Sequence, residues 1–514
     1  MGMENASPLV TPRFDNAVAM FWDAVDKAPS KLALIEGTRR INYDEFGRAV
    51  AALSHHLSQC GAAGECVALV IPNSIECNIA VFAALASGAQ VTLLNAAYTE
   101  AELARLFAAS APRALIVLAG TAKNAQSAAA RAGIDSVICL GKGEFALEAL
   151  ISSDARRPDA ALVADEFATL GFTGGTTGVP KGVERTHRML MNTIAGMDEA
   201  WPARVGEDVW LNVAPVSHVW GFFMGCMNPV YNRSTLVVVP RFTPDNVVSE
   251  IARHKVTFFS GGPAAIYGGL LSSSLIQDAD LSALRICPGG GSPFLMELLS
   301  AWEKRTGVPI LEAYGMTEAG PITANPADGA HRIGTTGLPL TGIELEIVSI
   351  DDPDKLLAPN EVGEVRIRGA RVVHRYRGES AGHPEGWLYT GDVGCVDEDG
   401  FLQIIDRKKD MLIVSGYNVY PREIEELLLT HPEVKNAAVI GVADERKGEV
   451  PIAFVETAEE GERVAIGLEQ FVEANLAGYK QPQHIIPVDA IPQTVARKND
   501  RKRLAEMAKE YINE

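Results

Sequence analysis

The residues best suited to chemistry form one loop, Gly171-Phe172-Thr173-Gly174-Gly175-Thr176-Thr177-Gly178-Val179-Pro180-Lys181-Gly182. Glycine lets a backbone turn through positive φ and bring its N–H groups close to a ligand. A run of such N–H groups makes a concave anion site. The threonine hydroxyls add donors and Lys181 adds a positive charge. The composition suits a polyphosphate, although a flexible linker of small residues is the plain alternative. It is not a Walker loop, which needs Gly-Lys-Ser/Thr, because Lys181 lies between Pro180 and Gly182. Pro180 argues against a helix running through the lysine, so the pattern predicts strand, loop, strand.

Four other places carry side chains with chemical potential. In Tyr314-Gly315-Met316-Thr317-Glu318, a tyrosine offers a ring face, a threonine a hydroxyl, and a glutamate a hard oxygen suited to Mg²⁺. The same residues would equally make a surface turn. Asp392, ending Trp387-Leu388-Tyr389-Thr390-Gly391-Asp392, has lone pairs for two donors. Taken alone, it and Arg407 read as solvated charges or caps. His218, in Pro215-Val216-Ser217-His218-Val219-Trp220-Gly221, is one of ten histidines without metal-ligand spacing, and such a histidine is usually structural. Lys498 sits in the basic stretch Arg497 to Arg503, which also reads as a solvated tail.

The elements that position these groups follow an α/β pattern. Cys66 to Ile71 and Ala114 to Leu118 are short continuous apolar runs, as in buried parallel strands. Thr99 to Glu102 is a capping box that opens a helix, and Pro244 takes a first helical position after Thr243. Thr235 to Val239 reads as a strand. Leu284 to Cys287 as a strand, a glycine turn at Gly289-Gly290-Gly291, a helix from Pro293 to Arg305, and a strand from Pro309 to Ala313 repeat this logic. Such βα units imply layered sheets with sites at the carboxyl ends of strands. From Gly337 to Asp406 the pattern changes to short strands and turns, including an Asp399-Gly400 hairpin signal. The remaining hundred or so residues read as a separate α+β domain, with a helix from Pro421.

At 514 residues the chain exceeds one core. Its formal charge of −19 argues against general nucleic-acid binding. Seven scattered cysteines without a CxxC pair favour reduced thiols in the cytoplasm. No signal pattern or membrane-spanning apolar run is evident, and Ala6 stands where a myristoylation signal wants serine or threonine.

Six blocks in register carry a resemblance covering nearly the whole chain: 172 to 182, Pro215 to Gly221, Tyr314 to Glu318, Trp387 to Asp392, Asp406 to Glu425, and Pro492 to Leu504. Together they resemble the acyl-adenylate-forming superfamily, which includes AMP-forming acyl-CoA synthetases, luciferases and peptide-synthetase adenylation domains. The resemblance implies a large N-terminal α/β domain over 1–408, with a β subdomain at about 337–406, and a mobile α+β domain over 409–514. It implies ATP, Mg²⁺ and coenzyme A as the small-molecule partners of a carboxylic acid. ATP would meet Thr173, Gly174, Gly175, Thr176, Thr177, Gly178, Lys181, Gly290, Gly291, Tyr314, Thr317, Asp392, Arg407 and Lys498, with Mg²⁺ on Glu318. His218, Trp220, Phe222, Gly289, Gly290, Gly291 and Met316 would line an acyl pocket, with the glycines leaving a wall open. Lys498, Thr317, Glu318 and His218 would take part in the chemistry. Lys409 would be a hinge in an extended linker, and Ser415, Gly416 and Tyr417 would line the thiol path.

The 215 to 221 block has no aspartate, where amino-acid-activating relatives place one, so an apolar acid is favoured. Gly174 and Arg497 depart from the usual serine and glycine. Two alternatives stay open: an enzyme that loads a carrier protein, and a catalytically silent nucleotide-binding homologue.

Overall fold

The structure is a computed structural model that describes residues 11–158, 162–173, 180–379, 382–415, 417–444, 446–457, 461–493 and 499–513. The chain divides into two compact units, one of Met1–Leu345 with Ile367–Leu388, the other of Glu346–Arg366 with Tyr389–Glu514.

In the first unit, among the described residues, strands build a six-stranded sheet in the order Ser136–Leu140, Ala114–Leu118, Cys66–Val70, Gln90–Leu93, Phe167–Thr173, Lys181–Thr186. Every pairing is parallel except the last. A five-stranded sheet runs Phe258–Ser260, Val209–Asn212, Thr235–Val238, Leu32–Glu36, Arg39–Asn42, again with one antiparallel edge. All five residues of Cys66–Val70 are buried, as the unbroken apolar run requires of a strand covered on both faces. The helix Glu100–Ser110 carries the capping box in full: Glu102 N–H reaches Thr99 Oγ1, and Thr99 N–H donates to the Glu102 carboxylate at 2.8 Å. Pro244 opens the helix Pro244–His254.

A third sheet orders Cys287–Gly290, Ile310–Met316, Gly320–Ala324 and Leu338–Pro339. Here the structure corrects two expectations. Gly289 and Gly290 belong to a strand rather than a turn. A Cβ at Gly289 would lie 2.5 Å from the Phe294 ring, and one at Gly290 would lie 2.5 Å from the Ala313 carbonyl oxygen. These glycines are therefore set by close packing, and protein already fills the wall they were expected to leave open. The strand after them also runs on through Tyr314 to Met316, so these residues are paired backbone, and the turn falls on Thr317 to Ala319 with Glu318 buried in it.

The second unit carries residues of a sheet ordered Glu344–Val348, Gly363–Arg368, Leu388–Val396, Leu402–Arg407. Another sheet orders Tyr417–Val419, Leu412–Val414, Gly448–Thr457 and Val434–Asp444, with His484–Val488 added in parallel to Gly448–Thr457. Asp406 caps the helix Pro421–Leu429 from outside it, taking the Arg422 N–H at 3.0 Å. Arg501 is not a free surface charge. It donates to the Val439 carbonyl at 2.8 Å and pairs with Glu425 at 3.4 Å and Asp410 at 3.6 Å.

Lys409 is exposed in a tight turn, where the Asp410 and Met411 N–H groups both reach the Arg407 carbonyl, at 2.9 and 3.0 Å. A hydrogen-bonded turn therefore stands where an extended linker was expected. Among the described residues, no helix is long and apolar enough to cross a membrane. All seven cysteines are free thiols.

Candidate functional site

The antiparallel pair Phe167–Thr173 and Lys181–Thr186 forms the stem of the glycine-threonine loop. Thr173 ends one strand and Lys181 begins the other. Gly174, Gly175, Thr176, Thr177 and Gly178 lie outside the described residues, as do Gly416 and Lys498. Gly171 in the stem abuts Thr317, since a Cβ there would lie 3.2 Å from Thr317 Cγ2. The loop's base and the Thr317-Glu318 pair are thus neighbours in space although 146 positions separate Gly171 from Thr317 (317 minus 171).

Glu318 is 5% exposed and accepts a hydrogen bond from Tyr376 Oη at 2.7 Å. The Tyr376 phenol is raised above its usual range, first by burial and then by the Glu318 charge. The other side of the same ring region serves Lys181, whose Nζ stands 4.4 Å from the ring centroid. The ammonium also lies 3.9 Å from the Glu379 carboxylate. The segment around Tyr376 is tied at both ends, by Val373 N–H to the Glu318 carbonyl at 2.9 Å and Arg377 N–H to the Gly182 carbonyl at 2.8 Å.

Arg185 completes this group from beneath. It is buried, and its guanidinium donates to the Thr317 carbonyl. Burial lowers its pKa to about 10, against the opposing pull of Glu318. Sequence reasoning missed both Arg185 and Tyr376. Both stand outside the six blocks that the residue types single out.

His218 is an exposed N-cap, its Nδ1 accepting the Trp220 N–H at 3.2 Å. The short helix Val219–Phe222 that it caps buries Trp220 and Phe222. A Cβ at Gly290 would lie 3.5 Å from Trp220 Cζ3, so this helix packs against the strand Cys287–Gly290. Gly291 is the one of the three glycines with open space in its Cβ direction, at φ +88°. Tyr314 and Met316 are partly exposed on the next strand.

In the second unit Asp392 and Arg407 face each other across the Leu388–Val396 and Leu402–Arg407 pair, with Oδ1 to Nε at 3.3 Å. Asp392 is mostly buried and Arg407 exposed, so a buried carboxylate stands behind an exposed cation. Ser415 takes φ of 52° in the turn between Leu412–Val414 and Tyr417–Val419, and the exposed Tyr417 ring stacks on Tyr479 at 4.6 Å.

Among the described residues, no group of three or more His, Cys, Asp and Glu side chains is placed to hold a metal ion. A lone buried carboxylate such as Glu318 still fits Mg²⁺, which binds through one or two carboxylates and completes its shell with water and substrate phosphates.

Comparison with known proteins places these features in company. A family model described as AMP-binding enzyme matches residues 21–377, and one described as AMP-binding enzyme C-terminal domain matches 423–498. The chain is similar to a 2-succinylbenzoate–CoA ligase of Bacillus pumilus, 33% identical over 501 residues, covering 93% of this chain and 95% of that one. It is also similar to a long-chain-fatty-acid–CoA ligase of Salmonella typhimurium, 29% identical over 543 residues, covering 98% and 96%. The crystal structure of ATP-bound MatB from Rhodopseudomonas palustris superposes with a TM-score of 0.88 at 28% identity, covering 96% and 99%.

Proposed function

The chain belongs to the AMP-binding enzyme family, and from that membership we propose that it is an AMP-forming acyl-CoA ligase acting on an apolar carboxylic acid. A carboxylate oxygen attacks the α-phosphorus of ATP, the bond to the β-phosphate oxygen breaks, and pyrophosphate leaves. The thiolate of coenzyme A then attacks the acyl carbon, and AMP leaves with the bridging oxygen. Positioning and charge stabilisation are the protein's contributions.

The observation that carries this reading is the Tyr376 bridge. One side chain holds the Glu318 carboxylate by its hydroxyl and supports Lys181 by its ring, at the base of the glycine-threonine loop. Such a fixture serves a bound polyphosphate with its cation, because a carboxylate and an ammonium must stand apart yet stay oriented. Glu318 would hold Mg²⁺, which supplies charge neutralisation of the phosphate oxygens. Thr317 and Lys181 would donate to the same oxygens, Tyr314 would stack on the base, and Asp392 would take the ribose hydroxyls with Arg407 beside it. Lys498 would bridge the acid and the α-phosphate, and His218 would stand by the acid. We place the pivot between the two half-reactions at Lys409 and the reaction in the cytoplasm, where seven free thiols are at home.

The test is a panel of acids with ATP, Mg²⁺ and coenzyme A. Octanoate or benzoate is expected to outrun every amino acid, since Trp220 and Phe222 offer buried ring surface and no carboxylate occurs in 215 to 221. Faster turnover of any amino acid would overturn the pocket assignment. Pyrophosphate release without a free thioester would identify a carrier-loading enzyme instead.

A further inference from the structure

Trp220 fills a slot that two glycines leave. A Cβ at Gly262 would lie 3.6 Å from its Cδ1, and one at Gly290 would lie 3.5 Å from its Cζ3. The indole therefore spans from the end of the strand Phe258–Ser260 to the strand Cys287–Gly290, whose neighbour Ile310–Met316 carries Tyr314 and Met316. It is anchored there, because its Nε1–H donates to Ser260 Oγ at 2.8 Å.

A second indole backs the first. Trp201 meets Trp220 edge-on with ring centroids 6.0 Å apart, and its own N–H donates to the Asn325 carbonyl at 2.9 Å. Neither ring can swing away without leaving a buried N–H unpaired, which carries a full desolvation penalty. Beyond Trp201, the space bordered by Trp210, Met224, Asn228 and Phe258 has no room for even a water molecule. Ordinary ligand pockets offer roughly 300–1,000 Å³, so among the described residues no second chamber lies behind the paired indoles.

Resting on the reading that Trp220, Gly290 and Met316 border the acyl pocket, we propose that Trp220 stops the pocket and restricts the enzyme to compact acids, a single ring or a short chain, to the exclusion of long-chain fatty acids. A long chain would need the space the indole occupies, and nothing pays for evicting a ring tied by a hydrogen bond and a second tryptophan.

The test compares kcat/KM for benzoate, hexanoate and hexadecanoate in the wild-type enzyme, Trp220→Ala and Ser260→Ala, read as ratios between acids so that a general loss of activity cancels. In the wild type the better compact acid is expected to exceed hexadecanoate by about a hundredfold or more. Trp220→Ala should raise hexadecanoate relative to benzoate by about tenfold or more, since each methylene accommodated in an apolar pocket is worth about that much. Ser260→Ala, which frees the indole without removing it, should move the ratio the same way by less, and it serves if Trp220→Ala does not fold. Hexadecanoate matching the compact acids in the wild type, or a ratio unmoved in the folded variants, overturns the proposal. No activation of any acid overturns the ligase reading, and this proposal falls with it.

Discussion

Lys498→Ala is expected to slow acyl-AMP formation by two orders of magnitude or more, and to leave transfer from supplied acyl-AMP to coenzyme A nearly intact. In the proposed role the ammonium bridges the carboxylate and the α-phosphate while negative charge shifts between them. A point charge aimed at that developing charge contributes about 3 kcal/mol or more, which corresponds to a factor above a hundred. The thiol step breaks a bond at the acyl carbon, away from the pyrophosphate side, so the same lysine has little to stabilise there. Single-turnover rates of the two half-reactions measure the split. Equal slowing of both would take Lys498 out of the adenylation step.

Gly416→Leu is expected to give the mirror result, with pyrophosphate release near normal and thioester formation nearly abolished. Of the described residues on either side, Val414 pairs with Tyr417 across the hairpin. Both flanks are pinned. Ser415 N–H donates to the Lys447 carbonyl at 2.7 Å and already takes a left-handed φ of 52°, while the Tyr417 ring is stacked on Tyr479. Flanks held in this way leave an added leucine side chain little means of withdrawing from the proposed thiol path. Circular dichroism checks folding, and an unchanged thioester yield would remove Gly416 from that path.

Much of the fold is legible in the sequence because local rules and tertiary context agree. The capping box at Thr99 and Glu102, the first-turn proline at 244, and the unbroken apolar run at Cys66 all do in the structure what their residue types favour. The failures share a cause. Gly289 and Gly290 look like turn residues, yet what fixes them is the Phe294 ring and the Ala313 carbonyl, contacts that no local pattern encodes. Lys409 resembles linker, but the Arg407 carbonyl gathers two N–H groups into a turn. A proline at 409 would occupy the third position of that turn and push Lys408 out of the helical region, so it would disturb the fold as well as any pivot. In the candidate site, the motif residues Thr317, Glu318 and Lys181 were identifiable by chemistry and resemblance. Tyr376 and Arg185, which hold them, make contacts across 58 and 132 positions, and such partners surface only once the chain is folded.

The central claim is that a carboxylate oxygen forms a bond to the α-phosphorus and stays there when the acyl group departs. Turnover of an acid labelled with ¹⁸O in its carboxylate, with Mg·ATP and coenzyme A, tests it directly by mass spectrometry of the products. The account predicts one labelled oxygen in each AMP and none in pyrophosphate. Label in pyrophosphate or inorganic phosphate, or thioester formed alongside unlabelled AMP, would contradict it.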